Sequence, residues 1–370
     1  MKFCFLLLYI ISFVYSKRSL SIPYELLNGK IFITLRIGTP IQAVSRQLEL
    51  TTGLSWLVPM NFHKEKSITH KSLSNNTIVL NAPLNAELIS DNVMLEYEYL
   101  ITSFLFYIIE FDEIRNLNIE DSFGFGYNMK NDSFSIVHLL YNNNIITRKV
   151  FYIRQWNEQS GYVFFGENDD KEMMKKPYRA FCNVNIQYNT WGCDVFSIQI
   201  DDRYTYYISS NESYLYFDSG LREHYFPYNS FLFLYDIMNK YEPCSIEKYY
   251  STQSIKCPKR LIEQLNSVKM NINGYLIELK LKDIFYCGIY KICRSTINYS
   301  DKYKDSFVFG TSIFSSYMVE FNYDESIIGL YSENKFQYIG KKKYYMKYIV
   351  IFNSVYLFLF IIFNCIVLYI

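Results

Sequence analysis

The stretch Tyr-Leu-Tyr-Phe-Asp-Ser-Gly at residues 214–220 organises this chain of 370 residues. Its aromatic and aliphatic residues favour an extended strand, and Asp-Ser-Gly after them is typical of a tight turn. The strand therefore delivers Asp218 into the turn. A second segment, residues 48–59 (Leu-Glu-Leu-Thr-Thr-Gly-Leu-Ser-Trp-Leu-Val-Pro), repeats this layout with Thr-Thr-Gly at the turn.

Length and composition set limits on the class of protein. Half of the residues are hydrophobic, which is enough to build the cores of two domains or of one large bilobed domain. Lys and Arg number 37 and Asp and Glu 36, so the formal net charge is +1. Because nucleic-acid binding usually leaves a basic surface, we expect no nucleic-acid partner.

Both ends of the chain are apolar. Residues 1–16 carry Lys2, a hydrophobic run and a closing Ser16, the layout of a cleaved secretory signal peptide. Residues 348–370 contain no charged residue and are long enough to span a hydrocarbon core of about 30 Å as a helix. The sequence therefore predicts a single-pass protein whose globular part is lumenal or extracellular.

Four lysines before the apolar tail leave alternatives open. With a cleaved signal they would face the lumen, against the usual preference for positive charge on the cytosolic side. A lipid-anchor signal also ends in an apolar segment, but no convincing small-residue attachment triplet precedes the tail. A cytosolic tail-anchored protein would suit the lysines and would leave residues 1–16 unexplained.

The cysteines agree with an oxidising compartment. Six lie between the two apolar ends, which predicts three disulfides with the pairing left open: Cys182, Cys193, Cys244, Cys257, Cys287 and Cys293. No Cys-x-x-Cys pair occurs and the histidines lie apart from the cysteines, so we expect no metal site and no cofactor. Glycosylation sequons at Asn75, Asn131, Asn211 and Asn298 are consistent with a lumenal glycoprotein.

Several segments, in order, resemble the pepsin-like aspartic proteases of the plasmepsin and cathepsin D type. Residues 37–42 (Ile-Gly-Thr-Pro-Ile-Gln) resemble the family's Ile-Gly-Thr-Pro-Pro-Gln hairpin, and residues 56–59 resemble its Trp-Val-Pro segment. Further similar segments are residues 121–127, 160–166, 214–220, 307–310 and 322–330. The resemblance covers residues 24–333 and implies a mostly β, bilobed fold with a cleft between two β-barrel-like lobes. We expect an N-terminal lobe at 17–180 and a disulfide-bearing C-terminal lobe at 181–340.

The resemblance implies that Asp218 is the second of two catalytic aspartates and that Thr51 occupies the first position. A hydroxyl cannot replace a carboxylate in a pair that shares one proton. Glu49 lies two residues earlier on the same face of the strand, with its Cα about 6–7 Å from that of Thr51. We expect Glu49 to face solvent or to pair with a lysine, because a rescue would require a distorted turn.

Other family features are altered. Gly53 and Gly220 keep the tight turns, but Leu54 and Leu221 follow them where the family has hydroxyl residues. The family's substrate-covering flap carries a tyrosine before a glycine-rich tip. Tyr97 and Tyr99 are the candidates here, although no glycine lies near them and both fit better as ordinary strand residues.

The sequence therefore predicts a membrane-anchored homologue of the secretory pathway with impaired catalysis. Such a protein would bind extended peptides or proteins in its cleft or serve a structural role as a pseudo-protease. The alternative is an active aspartic-type endopeptidase that uses Asp218 with an atypical partner. A third possibility is an adhesion or scaffold protein in which the cleft has no role.

Overall fold

The computed structural model describes residues 19–79, 83–95, 99–109, 120–127, 132–167, 176–288 and 291–340. The expected signal peptide and the expected membrane span lie outside these ranges. Within them, no helix has both the length and the apolar character needed to cross a membrane.

Most described residues belong to two large β-sheets. The first is a 13-stranded sheet in the spatial order β11-β24-β23-β9-β10-β1-β2-β3-β8-β4-β7-β6-β5. With strands numbered along the chain, its members are β1 (Ser19–Leu27), β2 (Lys30–Ile37), β3 (Gln42–Glu49), β4 (Trp56–Leu57), β5 (Lys71–Val79), β6 (Pro83–Leu95), β7 (Tyr99–Ile109), β8 (Ser122–Gly124), β9 (Val150–Gln155), β10 (Ser160–Gly166), β11 (Tyr178–Asn183), β23 (Met318–Asn322) and β24 (Ile327–Ser332).

The second sheet has twelve strands and contains the turn at Asp218. Its main path runs β16-β17-β21-β15-β22-β14-β12-β18-β19-β25, with β13 paired to β12 and β20 to β21. Its members are β12 (Gly192–Ile200), β13 (Tyr204–Tyr207), β14 (Tyr214–Phe217), β15 (His224–Tyr225), β16 (Ser245–Tyr249), β17 (Thr252–Pro258), β18 (Ser267–Ile272), β19 (Tyr275–Lys280), β20 (Phe285–Cys287), β21 (Ile292–Ser300), β22 (Ser306–Phe309) and β25 (Gln337–Tyr338).

The helices of the described residues are short and connect or cover the sheets. The α-helices are α1 (Ile136–Asn142), α2 (Tyr228–Tyr241), α3 (Lys259–Gln264), α4 (Leu281–Ile284) and α5 (Ile313–Ser316). Single 3₁₀ turns occur at Lys64–Lys66, Asp132–Phe134, Ile186–Tyr188 and Asp301–Tyr303.

Strand β2 shows why these residues form strands. Its buried residues Ile31, Ile33, Leu35 and Ile37 alternate with more exposed ones, as a strand with one face on a core requires. It pairs antiparallel with β3 from Phe32 opposite Gln47 to Ile37 opposite Gln42. Residues 38–41 thus form the predicted hairpin turn.

The first sheet contains strands from both ends of the described chain. Strand β11 pairs with β24, and β24 pairs with β23, which lies against β9 of the first sheet. Residues 318–332 therefore return to the sheet that contains most of the N-terminal strands, although we assigned residues 181–340 to the C-terminal lobe. The N-terminal and C-terminal parts of the chain are therefore joined by hydrogen bonds between β9 and β23 as well as by the continuous backbone.

Three disulfides are present, as predicted, and each joins two cysteines that follow one another along the chain with no other cysteine between them. They are Cys182–Cys193, Cys244–Cys257 and Cys287–Cys293. Cys293 lies opposite both Cys257 and Cys287 in the strand ladders and bonds to Cys287. Side-chain direction, which the sequence does not reveal, selects the pairing.

The sequons differ in accessibility. Asn75 and Asn211 are exposed, and Asn131 lies outside the described residues. Asn298 is only 3% exposed within β21, so its side chain is not accessible to a glycosyltransferase in the folded protein.

Trp191 packs between the two sheets. Its fully buried ring contacts Phe151 and Phe321 of the first sheet, and its indole N–H donates to the Phe125 carbonyl at 2.7 Å. Its own carbonyl accepts from the backbone N–H of Phe217, the residue before Asp218. Trp191 therefore connects the core to the turn that carries Asp218.

Replacing Trp191 with alanine should lower the free energy of unfolding by about 3–5 kcal/mol, because a large buried side chain and its hydrogen bond are lost. Urea denaturation followed by far-ultraviolet circular dichroism measures the change. Trp156, which is 60% exposed, provides the matched control. Trp156→Ala should change the free energy of unfolding by no more than about 0.5 kcal/mol. Equal losses in the two variants would contradict the role assigned to Trp191.

Candidate active site

The first turn follows strand β3, which ends at Glu49. Leu48 and Glu49 pair in parallel with Phe123 and Gly124 of β8, and the Glu49 carbonyl accepts from the Phe125 N–H at 2.7 Å. A Cβ on Gly124 would lie 2.4 Å from the Leu54 carbonyl oxygen. Glycine is therefore required at position 124, because the turn packs directly on its backbone.

The second turn follows strand β14 in the same way. Phe217 pairs in parallel with Phe309 of β22, and the Asp218 N–H donates to the Phe309 carbonyl at 3.0 Å. A Cβ on Gly310 would lie 2.2 Å from the Glu223 carbonyl oxygen. The two turns are thus built alike, each from a strand, a parallel neighbour and a glycine packed beneath the turn.

The glycine contacts align the two turns residue by residue. Gly124 packs on residues 53 and 54, which are four and five positions after Glu49. Gly310 packs on residues 222 and 223, which are four and five positions after Asp218. This correspondence places Glu49 opposite Asp218, where the sequence analysis placed Thr51.

The Ser219 hydroxyl gives the same alignment. It accepts from the Leu50 N–H at 3.1 Å and donates to the Leu48 carbonyl at 2.5 Å, so its two partners flank Glu49. The Gly220 N–H donates to Asp218 Oδ1 at 2.8 Å, and the Thr51 N–H donates to Glu49 Oε1 at 3.1 Å. Thr51 therefore corresponds to Gly220.

Glu49 is half-buried, and three hydrogen bonds hold its carboxylate. Oε1 accepts from the N–H and, at 2.7 Å, from the hydroxyl of Thr51, and Oε2 accepts from Gln47 Nε2 at 2.9 Å. Burial and the nearby charge of Asp218 raise the pKa of Glu49 to about 7, against the opposing effects of Thr51 and Lys30. The expectation that Glu49 faces solvent or pairs with a lysine is therefore wrong.

Asp218 has a related environment. Burial raises the pKa of its carboxyl group, while the Gly220 N–H and the charges of Lys302 and Lys30 act in the opposite direction. Like charges in a shared, partly buried site disfavour simultaneous ionisation. Glu49 and Asp218 therefore form a coupled pair of carboxyl groups that retains a proton more readily than two isolated carboxyl groups.

Two tyrosines lie near the pair. Burial, followed by the charges of Asp218 and Glu49, raises the pKa of the Tyr303 phenol. Burial raises the pKa of Tyr216 as well, with smaller effects from Tyr303, Asp218 and Glu49. Both phenols thus remain protonated and uncharged beside the carboxyl groups.

The flap candidates fall in different places. Tyr97 lies outside the described residues. Tyr99 begins β7, eight residues before Tyr107, which pairs with Trp56 near the first turn. Eight strand residues span about 26 Å, so Tyr99 is far from Trp56 along the strand. It packs instead against the main core, as an ordinary strand residue does.

The hairpin of β5 and β6 covers the first turn. Ile78 and Leu84, on either side of its tip, are buried in one cluster with Trp56. The indole N–H of Trp56 donates to the Glu120 carbonyl at 3.1 Å. The hairpin's apolar contact with Trp56 was not predicted, because it depends on the pairing of β7 with β4.

Sequence reasoning also missed Gln47 and assigned the first carboxylate position to a neighbour of Glu49. The Thr-Thr-Gly pattern drew attention to Gly53, which is in fact the buried residue that contacts Gly124 and Gly126. A usable signal was the alternation Gln47, Leu48, Glu49, Leu50, which predicts that the two polar residues share one face.

The sequence matches a known family. A family model of eukaryotic aspartyl proteases matches residues 114–332, more than half of the chain. This chain belongs to the eukaryotic aspartyl protease family. The matched range includes Asp218 and begins after the first turn. The correspondence of Glu49 with Asp218 therefore rests on the glycine contacts and on the hydrogen bonds of Ser219. No match was found among curated proteins.

Solved structures confirm the predicted mostly β, bilobed, pepsin-like fold. The crystal structure of an aspartic proteinase from Irpex lacteus is similar with a TM-score of 0.67 and 13% identity, over 85% of this chain and 97% of that one. Basic 7S globulin from soybean is similar with a TM-score of 0.66 and 12% identity, over 86% of this chain and 95% of that one. At such identities the likeness concerns the fold alone.

The raised pKa of Glu49 makes stability depend on pH in a defined direction. The contribution is fully present below the ordinary value of 4.5 and is lost as the pH rises through about 7. Relative to Glu49→Gln, the wild-type protein should therefore lose stability between pH 4.5 and 7.5. The loss should be on the order of 1–3 kcal/mol, since a tenfold change in an acid constant corresponds to about 1.4 kcal/mol.

Urea unfolding at several pH values measures this difference. Glu158→Gln, at an exposed position, is the control and should run parallel to wild type. A Glu49→Gln variant whose stability also runs parallel to wild type over this range would refute the raised pKa.

Proposed function

We propose that this chain is an aspartic-type endopeptidase whose two catalytic carboxyl groups belong to Glu49 and Asp218. The observation that carries the proposal is a pair of hydrogen bonds at the Ser219 hydroxyl, which donates to the Leu48 carbonyl and accepts from the Leu50 N–H. The two partners lie on either side of Glu49, so they place Glu49 opposite the Asp218 turn. The atypical partner that the alternative prediction required is then Glu49. Thr51 assists it through a hydrogen bond.

The chemistry follows from one proton shared between two carboxyl groups. The ionised member accepts a proton from a water molecule as that water attacks the scissile carbonyl carbon. The protonated member donates a hydrogen bond, and then its proton, to the carbonyl oxygen, which gives a tetrahedral diol. As the diol collapses, the group that took the water proton passes it to the amide nitrogen, the C–N bond breaks and the amine leaves. The other carboxyl group takes a proton from a diol hydroxyl, so the pair again shares one proton. The N–H groups of Thr51 and Gly220 hold the two carboxyl groups in place while these roles are exchanged.

The pKa values set the working pH range. A pair in which Glu49 has a pKa of about 7 holds its shared proton from mildly acidic to nearly neutral pH. Activity should therefore extend to about pH 7 and fall above it as the second carboxyl group ionises.

The substrate we propose is an extended peptide or protein segment bound across the two turns. The buried cluster of Trp56, Ile78 and Leu84 forms an apolar wall beside the Glu49 turn, and Tyr216 and Tyr303 lie on the Asp218 side. Apolar side chains next to the scissile bond would fit these surroundings.

Both carboxyl groups should be essential. Glu49→Gln and Asp218→Asn should each reduce the cleavage rate of denatured protein by at least about 1,000-fold, because the remaining group cannot act as acid and base together. The full-length chain, produced through a secretory host and held in detergent, is assayed from pH 3 to 8 with and without a statine-type inhibitor. Glu158→Gln is the control and should retain activity.

A Thr51→Asp variant distinguishes the two alignments. If Thr51 occupied the first dyad position, this change would complete the pair. We expect no gain, because it removes the hydroxyl that holds Glu49 and adds a third carboxyl group. Inhibitor-sensitive cleavage that survives Glu49→Gln, or that rises strongly in Thr51→Asp, would overturn the assignment of Glu49.

A second candidate function is peptide binding without cleavage. It is favoured by the apolar side chain of Leu221 after the second turn and by the longer side chain of glutamate at the first position. Binding of the statine-type inhibitor with no cleavage at any pH would support this pseudo-protease role.

We also propose that the protein is anchored in a membrane of the secretory pathway or cell surface by residues 348–370, with its globular part lumenal or extracellular. The three disulfides support an oxidising compartment. The full-length chain should remain in the membrane pellet after alkaline carbonate extraction, and a chain ending at Gly340 should be released.

The alternatives for the tail predict different results in the same experiment. Release of the full-length chain by phospholipase would indicate a lipid anchor. Secretion of the full-length chain without any treatment would exclude membrane anchoring.

A further inference from the structure

Gln47 is a buried polar residue at the base of the candidate site. It is 6% exposed and lies two positions before Glu49 on the same face of β3. Its backbone is fixed on both sides, because it pairs with Phe32 of β2 and with Ser122 of β8. A carboxamide in this position has little freedom to turn away from the site.

The carboxamide lies between the two turns. Its Nε2 donates to Glu49 Oε2 at 2.9 Å. A Cβ on Gly220 would lie 2.6 Å from the same nitrogen and 3.1 Å from Asp218 Oδ1. Gln47 therefore fills the small space that Gly220 leaves open, with Glu49 on one side and the Asp218 turn on the other.

A glutamate in a catalytic pair needs more support than an aspartate. Its carboxylate is one methylene farther from the backbone and turns about one more bond, so it occupies more positions unless both oxygens are held. Thr51 holds Oε1 and Gln47 holds Oε2. Together they restrict the carboxylate to a single orientation.

The neutral charge of Gln47 suits this role. A lysine or arginine at position 47 would favour the ionised form of Glu49 and remove the shared proton. The charges that act on Glu49 are those of Asp218 and Lys30, and the uncharged phenols of Tyr216 and Tyr303 lie near it. An amide donor orients the carboxylate without adding a charge, so it favours the ionised form less than a cation at position 47 would.

We infer that Gln47 is a positioning residue that adapts this site to glutamate at position 49. This inference rests on the proposed function, in which Glu49 and Asp218 act together. It implies an energetic coupling that a purely structural role does not produce. Loss of the Gln47 amide should lower kcat when residue 49 is glutamate. It should have little effect on kcat when residue 49 is aspartate, because the shorter side chain places the carboxylate beyond the reach of Gln47.

A double-mutant cycle tests the coupling. Gln47→Met keeps the length of the side chain and removes the donor. In the wild-type background it should lower kcat by about 10- to 100-fold with little change in KM, as expected when a reacting group is misplaced by a fraction of an ångström. In the Glu49→Asp background the same change should alter kcat by less than about twofold. Gln159→Met, at an exposed hairpin position, is the matched control.

Equal losses of kcat in the two backgrounds would overturn the inference, because they would indicate a general effect on folding. Near-ultraviolet circular dichroism of each variant shows whether the fold is kept.

A second readout does not depend on cleavage. A hydrogen bond to the ionised form lowers a carboxyl pKa, so its loss in Gln47→Met should move the pH range in which stability declines to higher pH. Glu49→Gln should abolish this movement. If no variant cleaves peptide, a shift would support the inference although the proposed hydrolase activity had failed. The absence of a shift would overturn the inference itself.

Discussion

The hydroxyl of Ser219 links the two turns on which the site depends. Its hydrogen bonds to Leu48 and Leu50 bring together strands from different sheets and fix the register in which they meet. A polar group buried in this way must keep both partners, since an unsatisfied one costs about 1–3 kcal/mol. This constraint holds Glu49 in place beside Asp218 and makes Glu49, rather than Thr51, the counterpart of Asp218.

In the proposed catalytic pair, polar neighbours hold the glutamate that takes the place of an aspartate. At position 51 a threonine replaces the turn glycine, and its hydroxyl adds a hydrogen bond to Glu49. Gln47 supplies another bond from the same strand face. Burial and the charge of Asp218 raise the pKa of Glu49, and the hydrogen bonds from Thr51 and the charge of Lys30 oppose that rise. As a result the pKa of Glu49 is about 7, so near neutral pH its carboxyl group can either hold or release a proton.

Much of the fold could be predicted from the sequence, because its signals are local. The alternating residues of β2 and the hairpin at residues 38–41 were found as expected, and the turn after β14 presents Asp218. Long-range pairing was less accessible. Gly124 packs on residues 53 and 54, about 70 positions earlier in the chain, and this contact shows that Glu49 corresponds to Asp218. The pairing of β7 with β4 places the β5–β6 hairpin over Trp56.

The error at Thr51 has a physical origin. The Thr-Gly pattern resembles a family turn, but the turn is defined by backbone contacts that two different local sequences can satisfy. Gly53 packs against Gly124 and Gly126 and does not lie beside the carboxylate in the way that Gly220 lies beside Asp218. The burial of Leu48 and Leu50 on one face of the strand leaves Gln47 and Glu49 on the other, and that periodicity was the more reliable guide.

The charge of Asp218 acts on Glu49 and helps to raise its pKa. Carbon-13 nuclear magnetic resonance of the Glu49 side chain, followed from pH 3 to 9 in the wild-type protein and in Asp218→Asn, measures this interaction directly. We expect Glu49 to titrate at a pKa of about 7 in the wild-type protein and at a clearly lower pH once the charge at position 218 is removed. Identical titration of Glu49 in the two proteins would contradict it.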